Sequence, residues 1–257
     1  MKHLTIRHFG PISNAEIELG SVNLIIGPQS SGKSTVLKTA CYCSWVEKRI
    51  ELSQKENGFG NGSTFIDLMI RYYNINNYVN SDTYIGYETD YLKFCYDHSN
   101  KSFVMNWKDS RWDFRRSKVS YIPADRNMVA SIPGWSSLSL DSNMIDFLSD
   151  WDKARHFLKK EENILNLGMS YLYDSMSNTD RIQLENGRPL MLRESSSGVQ
   201  SLLPLYVHLD YLVNGQYNDQ TTKSHTNRKK SERISYPPYI VTYIKESSVV
   251  IIQRRFL

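Results

Sequence analysis

Cysteine is scarce: Cys41, Cys43 and Cys95 are the only three in 257 residues, and none forms a CxxC pair. An odd count without that spacing argues against a disulfide framework and a zinc site, and it predicts reduced thiols. The six histidines are scattered without ligand spacing, so no transition-metal centre is expected. No run of about 18 apolar residues is present to cross a membrane. The opening MKHLTIRHFG carries charge where a secretion signal needs an apolar stretch. These absences predict a cytoplasmic protein with no membrane partner. A dominant charge is also missing: 31 basic and 27 acidic residues leave a net +4, which permits a nucleic-acid partner without demanding one. Apolar residues make up 40% of the chain, enough at this length for the core of one large domain.

Against these absences stands one dense motif. Residues 27–34 read GPQSSGKS, a full GxxxxGKS match. It follows a largely apolar stretch, Val22–Ile26, expected to be a strand buried on both faces, and precedes a helix expected from Ser34 to about Leu52. Backbone N–H groups of such a turn, together with a helix N-terminus, surround phosphates because unpaired amide donors and the helix dipole both favour anions. The predicted cradle is Gly27, Ser30, Ser31, Gly32, Lys33, Ser34 and Thr35. Lys33 is placed to reach β- and γ-phosphates, and the Ser34 hydroxyl to hold Mg²⁺.

Around this motif the pattern is α/β. Leu4–Phe9 and Ala15–Leu19 read as strands joined by the turn Gly10-Pro11, forming with Val22–Ile26 a small sheet that leads into the loop. Beyond the break GFGNGS at 58–63, Thr83–Tyr87, Leu92–Tyr96 and Phe103–Trp107 predict an antiparallel meander, and Val119–Ile122 a further short strand. Trp107 to Arg116 interleaves aromatic and basic residues, a pattern that can stack bases and meet phosphates but that a hairpin with an ordinary charged face explains more simply. From Met144 to Leu158 the apolar spacing of three and four predicts an amphipathic helix. Arg181–Glu185 and Leu190–Leu192 flank Asn186-Gly187, a hairpin signal, and a second amphipathic helix carries Val199 to Val213. Residues 214–238 are polar and basic, with Arg228, Lys229, Lys230 and Arg233, and read as an exposed loop. Tyr239–Ile252 is β-branched and apolar and predicts one or two buried strands.

Between the hairpin and the last helix lies SSSGVQ, residues 195–200. Hydroxyls and a glycine at a helix start suit a second anion contact, and they equally suit an ordinary N-cap. The order of parts, with the opening LTIRHFGPISNAEIELGSVNLIIGPQSSGKST, resembles the ABC-type ATPases of the SMC, RecF and OLD group, especially bacterial members from repair and anti-phage defence systems. The resemblance implies an ABC-like, two-lobed P-loop NTPase domain. It would comprise a nucleotide-binding lobe over 1–138, a helical insertion over 139–180, and a hairpin, signature motif and helix over 181–213. The exposed loop at 214–238 and a shortened Walker B region at 239–257 would complete it. It further implies ATP and Mg²⁺ as ligands and an ATP-sandwiched homodimer. In that dimer Ser197, Gly198 and Gln200 of one copy would meet the γ-phosphate held by another. Val199 replaces the family's glycine and Ser196 stands where leucine is usual. An effector such as a nuclease, and DNA, are the partners the resemblance suggests.

One family element is short of its residues. The apolar strand Val249–Ile252 is followed by Gln253 and Arg254 rather than two acids. The alternative strand at Tyr243-Ile244 is followed by Lys245 and a single carboxylate, Glu246, the one candidate catalytic residue. The QRRFL ending reads as a truncated domain, and Gln253 and Arg254 are expected beside the γ-phosphate. An ATP-binding module without turnover is therefore an alternative function. A kinase or GTPase is a further one, although no NKxD guanine-reading motif is present. Pro204 should kink or restart the last helix.

Overall fold

Leu4 and Ile6 are buried between the exposed His3 and Arg7 with the half-buried Thr5 in the middle, and this period of two turns one face of the first strand into core. The computed structural model describes residues 2–114, 117–132, 138–158, 162–164, 168–214, 239–245 and 249–255. They divide into two units, one holding the chain to Tyr121 with the C-terminal strands, the other starting at Ile122.

In the first unit, β1 (Lys2–Phe9) and β2 (Ile12–Leu19) pair antiparallel, while β3 (Val22–Ile26) leads into α1 (Lys33–Ser53) and then α2 (Thr64–Tyr73). The meander β4 (Val79–Glu88), β5 (Leu92–Asp97) and β6 (Ser102–Trp107) forms as expected. It joins the first hairpin in one sheet of order β2-β1-β4-β5-β6, with an irregularity between Arg7 and Phe9 that returns Phe9 to the core face. β3 is therefore not part of that first small sheet. It belongs to a second one of order β3-β13-β12-β7, built with β7 (Ser117–Ile122), β12 (Tyr239–Lys245) and β13 (Val249–Arg255).

The expected burial of β3 on both faces is corrected: Val22, Leu24 and Ile26 are 65%, 59% and 69% exposed, because among the described residues nothing covers the face turned away from the core. α2, which the sequence reading passed over, closes the core with Phe65, Ile66 and Met69. The Gly/Asn-rich break contributes Phe59, fully buried against Phe65 and Phe103. α1 is braced by a buried network in which the Lys2 ammonium donates to Glu47 at 3.0 Å and to Ser44 at 3.2 Å, and the Tyr87 hydroxyl donates to Glu47 at 3.1 Å. Cys41, Cys43 and Cys95 are unbridged, and burial pushes the Cys43 thiol well above its ordinary range. The segment expected to be a charged hairpin instead folds as a 3-10 turn, Asp109–Asp113. There the Arg111 guanidinium lies 4.2 Å from the Trp107 ring centre and 4.4 Å from that of Trp112.

The second unit begins before residue 138, where the first lobe was expected to end. It contains α3 (Met128–Ser131), α4 (Ser142–Phe157) and α5 (Ser197–Asn214). Beside them stands an antiparallel sheet of β8 (Glu162–Asn163), β9 (Met169–Asp174), β10 (Thr179–Leu184) and β11 (Pro189–Met191). The 139–180 segment thus supplies strands as well as a helix. α5 runs unbroken across Pro204. Phe147, Leu148 and Trp151 of α4 and Leu203 and Val207 of α5 are buried, and each such side chain contributes about 1.5 to 3 kcal/mol. The loop expected at 214–238 lies outside the described residues from 215 on. No helix among the described residues is long and apolar enough to cross a membrane.

A buried polar cluster pins α4 to this sheet. Arg155 donates to Asp152 at 2.6 Å and to Asp180 at 3.5 Å, and the Tyr171 hydroxyl donates to Asp180 at 2.6 Å. Burial pushes the Asp180 carboxyl above its ordinary range, against the lowering effect of Tyr171 and Arg155. Replacing Asp180 with Ala should cost about 2 to 3 kcal/mol, since Arg155 keeps Asp152 but the Tyr171 hydroxyl loses a charged acceptor. Asp174→Ala, at the turn that follows β9, should cost less. Denaturant unfolding followed in both variants checks the difference.

Candidate functional site

β3 delivers the chain to Gly27, and the turn that follows is closed by a bond from Ser31 N–H to the Pro28 carbonyl at 3.4 Å. Ser30 takes a left-handed backbone with φ 60°, and Gly32 another with φ 90°, immediately before α1. Gly32 is required there twice over. A side chain is strained at that φ, and a Cβ would fall 2.9 Å from Ile12 Cγ1 and 3.5 Å from Pro11 Cγ. The first hairpin therefore presses directly on the loop.

Among the described residues no side chain caps the first turn of α1. Its opening amides keep donor capacity for an anion, and the dipole of a 21-residue helix points the same way. The Lys33 side chain is buried and folds back over the turn, donating to the Gly27 carbonyl at 2.7 Å and to that of Pro28. A buried ammonium held, among the described residues, by neutral carbonyls gains from an arriving phosphate, which supplies an opposite charge.

A cavity of about 510 Å³ opens over these groups, lined by residues 29–35 with Pro11, Lys38 and Tyr78. Among the described residues its wall has two cations and no carboxylate, the electrostatics of a polyanion site. Of the seven cradle residues read from the sequence, Ser30, Ser31, Gly32, Lys33, Ser34 and Thr35 line it, and Gly27 anchors Lys33. Ser34, half-buried at the second position of α1, is the residue whose hydroxyl would hold Mg²⁺. Lys38, Pro11 and Tyr78 were not foreseen. Lys38 lies one helical turn beyond Ser34, a spacing that would have revealed it. Tyr78 reaches the site only through tertiary packing.

The strand expected to carry the acids runs the wrong way for that task. β13 pairs antiparallel with β3, Val249 opposite Ile26 and Gln253 opposite Val22. Gln253 and the following Arg254 thus lie at the end of β3 remote from the phosphate loop, which corrects their expected place beside the γ-phosphate. β12 is antiparallel to β13 and hence parallel to β3, and its Lys245, paired with Val250, ends on the loop side of the sheet. Ligands of such sheets sit at the carboxyl ends of strands parallel to the loop strand. Glu246, one residue further, lies outside the described residues.

In the second unit, Ser196 is the N-cap of α5, its hydroxyl accepting from Val199 N–H at 3.4 Å. Ser197 and Gly198 are exposed at the helix start. A Cβ on Gly198 would meet nothing nearer than Ser196 Oγ at 3.9 Å, so packing within the unit does not demand a glycine. Gln200 is turned inward: its amide donates to the Arg193 and Ser195 carbonyls, both at 3.0 Å, and its oxygen accepts from Ser131 at 3.3 Å. Arg126 is buried and donates to the Ser201 carbonyl of α5 at 2.8 Å.

Residues 3–171 match a family model described as an AAA domain. No curated protein matches the chain.

If Gly32 is held by both its φ and Ile12, Gly32→Ala should lower stability by more than the ~1 to 2 kcal/mol of a left-handed alanine alone. Gly62, at φ 56° with nothing within 4 Å of its would-be Cβ, isolates that backbone cost. Parallel unfolding curves of Gly32→Ala and Gly62→Ala decide it; equal losses would mean that the Ile12 contact carries no weight.

Proposed function

The chain belongs to the AAA-domain family, and from that membership we propose that it is an ATP-binding, ABC/SMC-like ATPase module. In this reading ATP-dependent dimerisation controls a partner effector or a DNA-processing activity, in genome maintenance or phage defence. The single observation that carries the nucleotide part is the uncapped start of α1 beneath a cation-lined cavity, with Lys33 folded over the turn. The β- and γ-phosphates accept the loop amides and Lys33, and Ser34 holds the Mg²⁺ that offsets their charge.

The dimer is supported by the exposed Ser197 and Gly198 at the head of α5. A glycine that nothing in its own unit crowds is free to admit a close neighbour, here the γ-phosphate bound by a second copy. Gln200 supports this contact indirectly, by fixing the loop that leads into the helix.

A second reading, a module that binds ATP without turning it over, has its own observation. The described part of β12 ends on the loop side with Lys245, a cation, and the end of β13 that carries Gln253 lies far from the loop. A catalytic base and a positioned water typically contribute about 10² to 10⁴ in rate.

Lys33→Ala should weaken ATP binding about tenfold to a hundredfold, since a hydrogen bond to a charged group contributes roughly 1.5 to 3 kcal/mol. Calorimetry with unchanged affinity would remove the nucleotide assignment. Ser197→Arg should leave ATP binding by the monomer intact and abolish the dimer formed with a non-hydrolysable ATP analogue. Light scattering reads this, and a dimer that survives the substitution counts against the sandwich. Steady-state phosphate release separates the two readings: brisk turnover by the unaltered chain excludes the second.

A further inference from the structure

We propose that Tyr78 is the platform on which the base of the bound nucleoside triphosphate stacks, an assignment that rests on the nucleotide reading above. The cavity over the phosphate loop is about 510 Å³, within the range of roughly 300 to 1,000 Å³ typical of cofactor sites. Its charged wall is Lys33 and Lys38, suited to phosphates, whereas Pro11 and Tyr78 make an uncharged wall that phosphates do not need. Tyr78 is the aromatic side chain of that lining, and it is half-buried while the neighbouring core aromatics Phe9 and Tyr73 are fully enclosed.

The ring is also held in place before any ligand arrives. Gly10 N–H donates to the Tyr78 carbonyl at 2.8 Å, and Tyr78 N–H donates to the Ile75 carbonyl at 3.3 Å. The ring edge meets Phe9 with centres 5.6 Å apart, and it lies so close to Gly10 that a Cβ there would fall 2.5 Å from its Cδ2. The turn that presses on Gly32 through Ile12 and Pro11 thus also seats Tyr78, so the phosphate and base ends of the cavity share one support. An immobilised ring loses little entropy on stacking. Because every base has a π-face, such a platform adds affinity without choosing between adenine and guanine.

The test is calorimetric titration of the full chain, unaltered and as Tyr78→Leu and Tyr78→Phe, with Mg²⁺ and each of ATP, GTP and inorganic tripolyphosphate. Stacking predicts that Tyr78→Leu weakens ATP and GTP binding alike, by about 5- to 100-fold, while tripolyphosphate affinity stays unchanged. Tyr78→Phe should bind all three as the unaltered chain does. Unchanged ATP affinity in Tyr78→Leu overturns the platform, as does a parallel loss of tripolyphosphate, which would make Tyr78 a structural wedge. If the unaltered chain binds neither ATP nor tripolyphosphate, the nucleotide reading falls and this inference with it.

Discussion

The left-handed backbone of Gly32, wedged between the start of α1 and the first hairpin, is the constraint on which the site depends. It ends the phosphate turn and begins a helix in a single residue, which leaves the opening amides of α1 pointing together. That geometry would wander without a support. Ile12 and Pro11 supply one side, and the Lys2–Glu47–Tyr87 network holds α1 to β1 and β4 on the other. The five-stranded sheet, with its core of Phe59, Phe65, Phe94 and Phe103, acts as the anvil against which a loop of small residues keeps its shape.

Charge within the site follows the same economy. Lys33 is buried and donates to the carbonyl oxygens of Gly27 and Pro28, and Lys38 stands one turn away in the same wall. Two cations in one wall repel each other, and among the described residues of that wall no carboxylate offsets them. The turn carbonyls of Gly27 and Pro28 offset part of that by accepting from Lys33. An arriving polyphosphate replaces the neutral acceptors of Lys33 with charged ones, which strengthens its hydrogen bonds.

The C-terminal strands show how direction, rather than composition, decides chemistry. β13 has the apolar run expected of an acid-bearing strand, yet its antiparallel pairing carries Gln253 to the wrong end of β3. β12 has the right direction and a less convincing sequence. In the second unit the contrast is between Gln200, consumed by hydrogen bonds to its own loop, and the exposed pair Ser197 and Gly198. A motif match treats these three residues alike, while their surroundings differ.

The phosphate loop, the meander, α4, the β10–β11 hairpin and α5 were legible in the sequence, because each depends on local rules: a fixed glycine spacing, a period of two or a period of 3.6. α2 was missed because a glycine-rich break precedes it, and the buried Phe59 inside that break because only a neighbouring sheet can bury it. The Trp107–Arg111 stack formed a turn where alternation suggested strands. Helix α5 continued through Pro204, where one lost N–H was weighed against the apolar face buried on both sides of it. Strand partners, the direction of β13 and the exposure of Val22, Leu24 and Ile26 depend on contacts between distant segments, which no local pattern records. By itself the sequence determined which residues could cradle a phosphate. Tertiary structure alone decided that Pro11 and Tyr78 complete the cavity around it, because only packing brings the first hairpin and residue 78 to the head of α1.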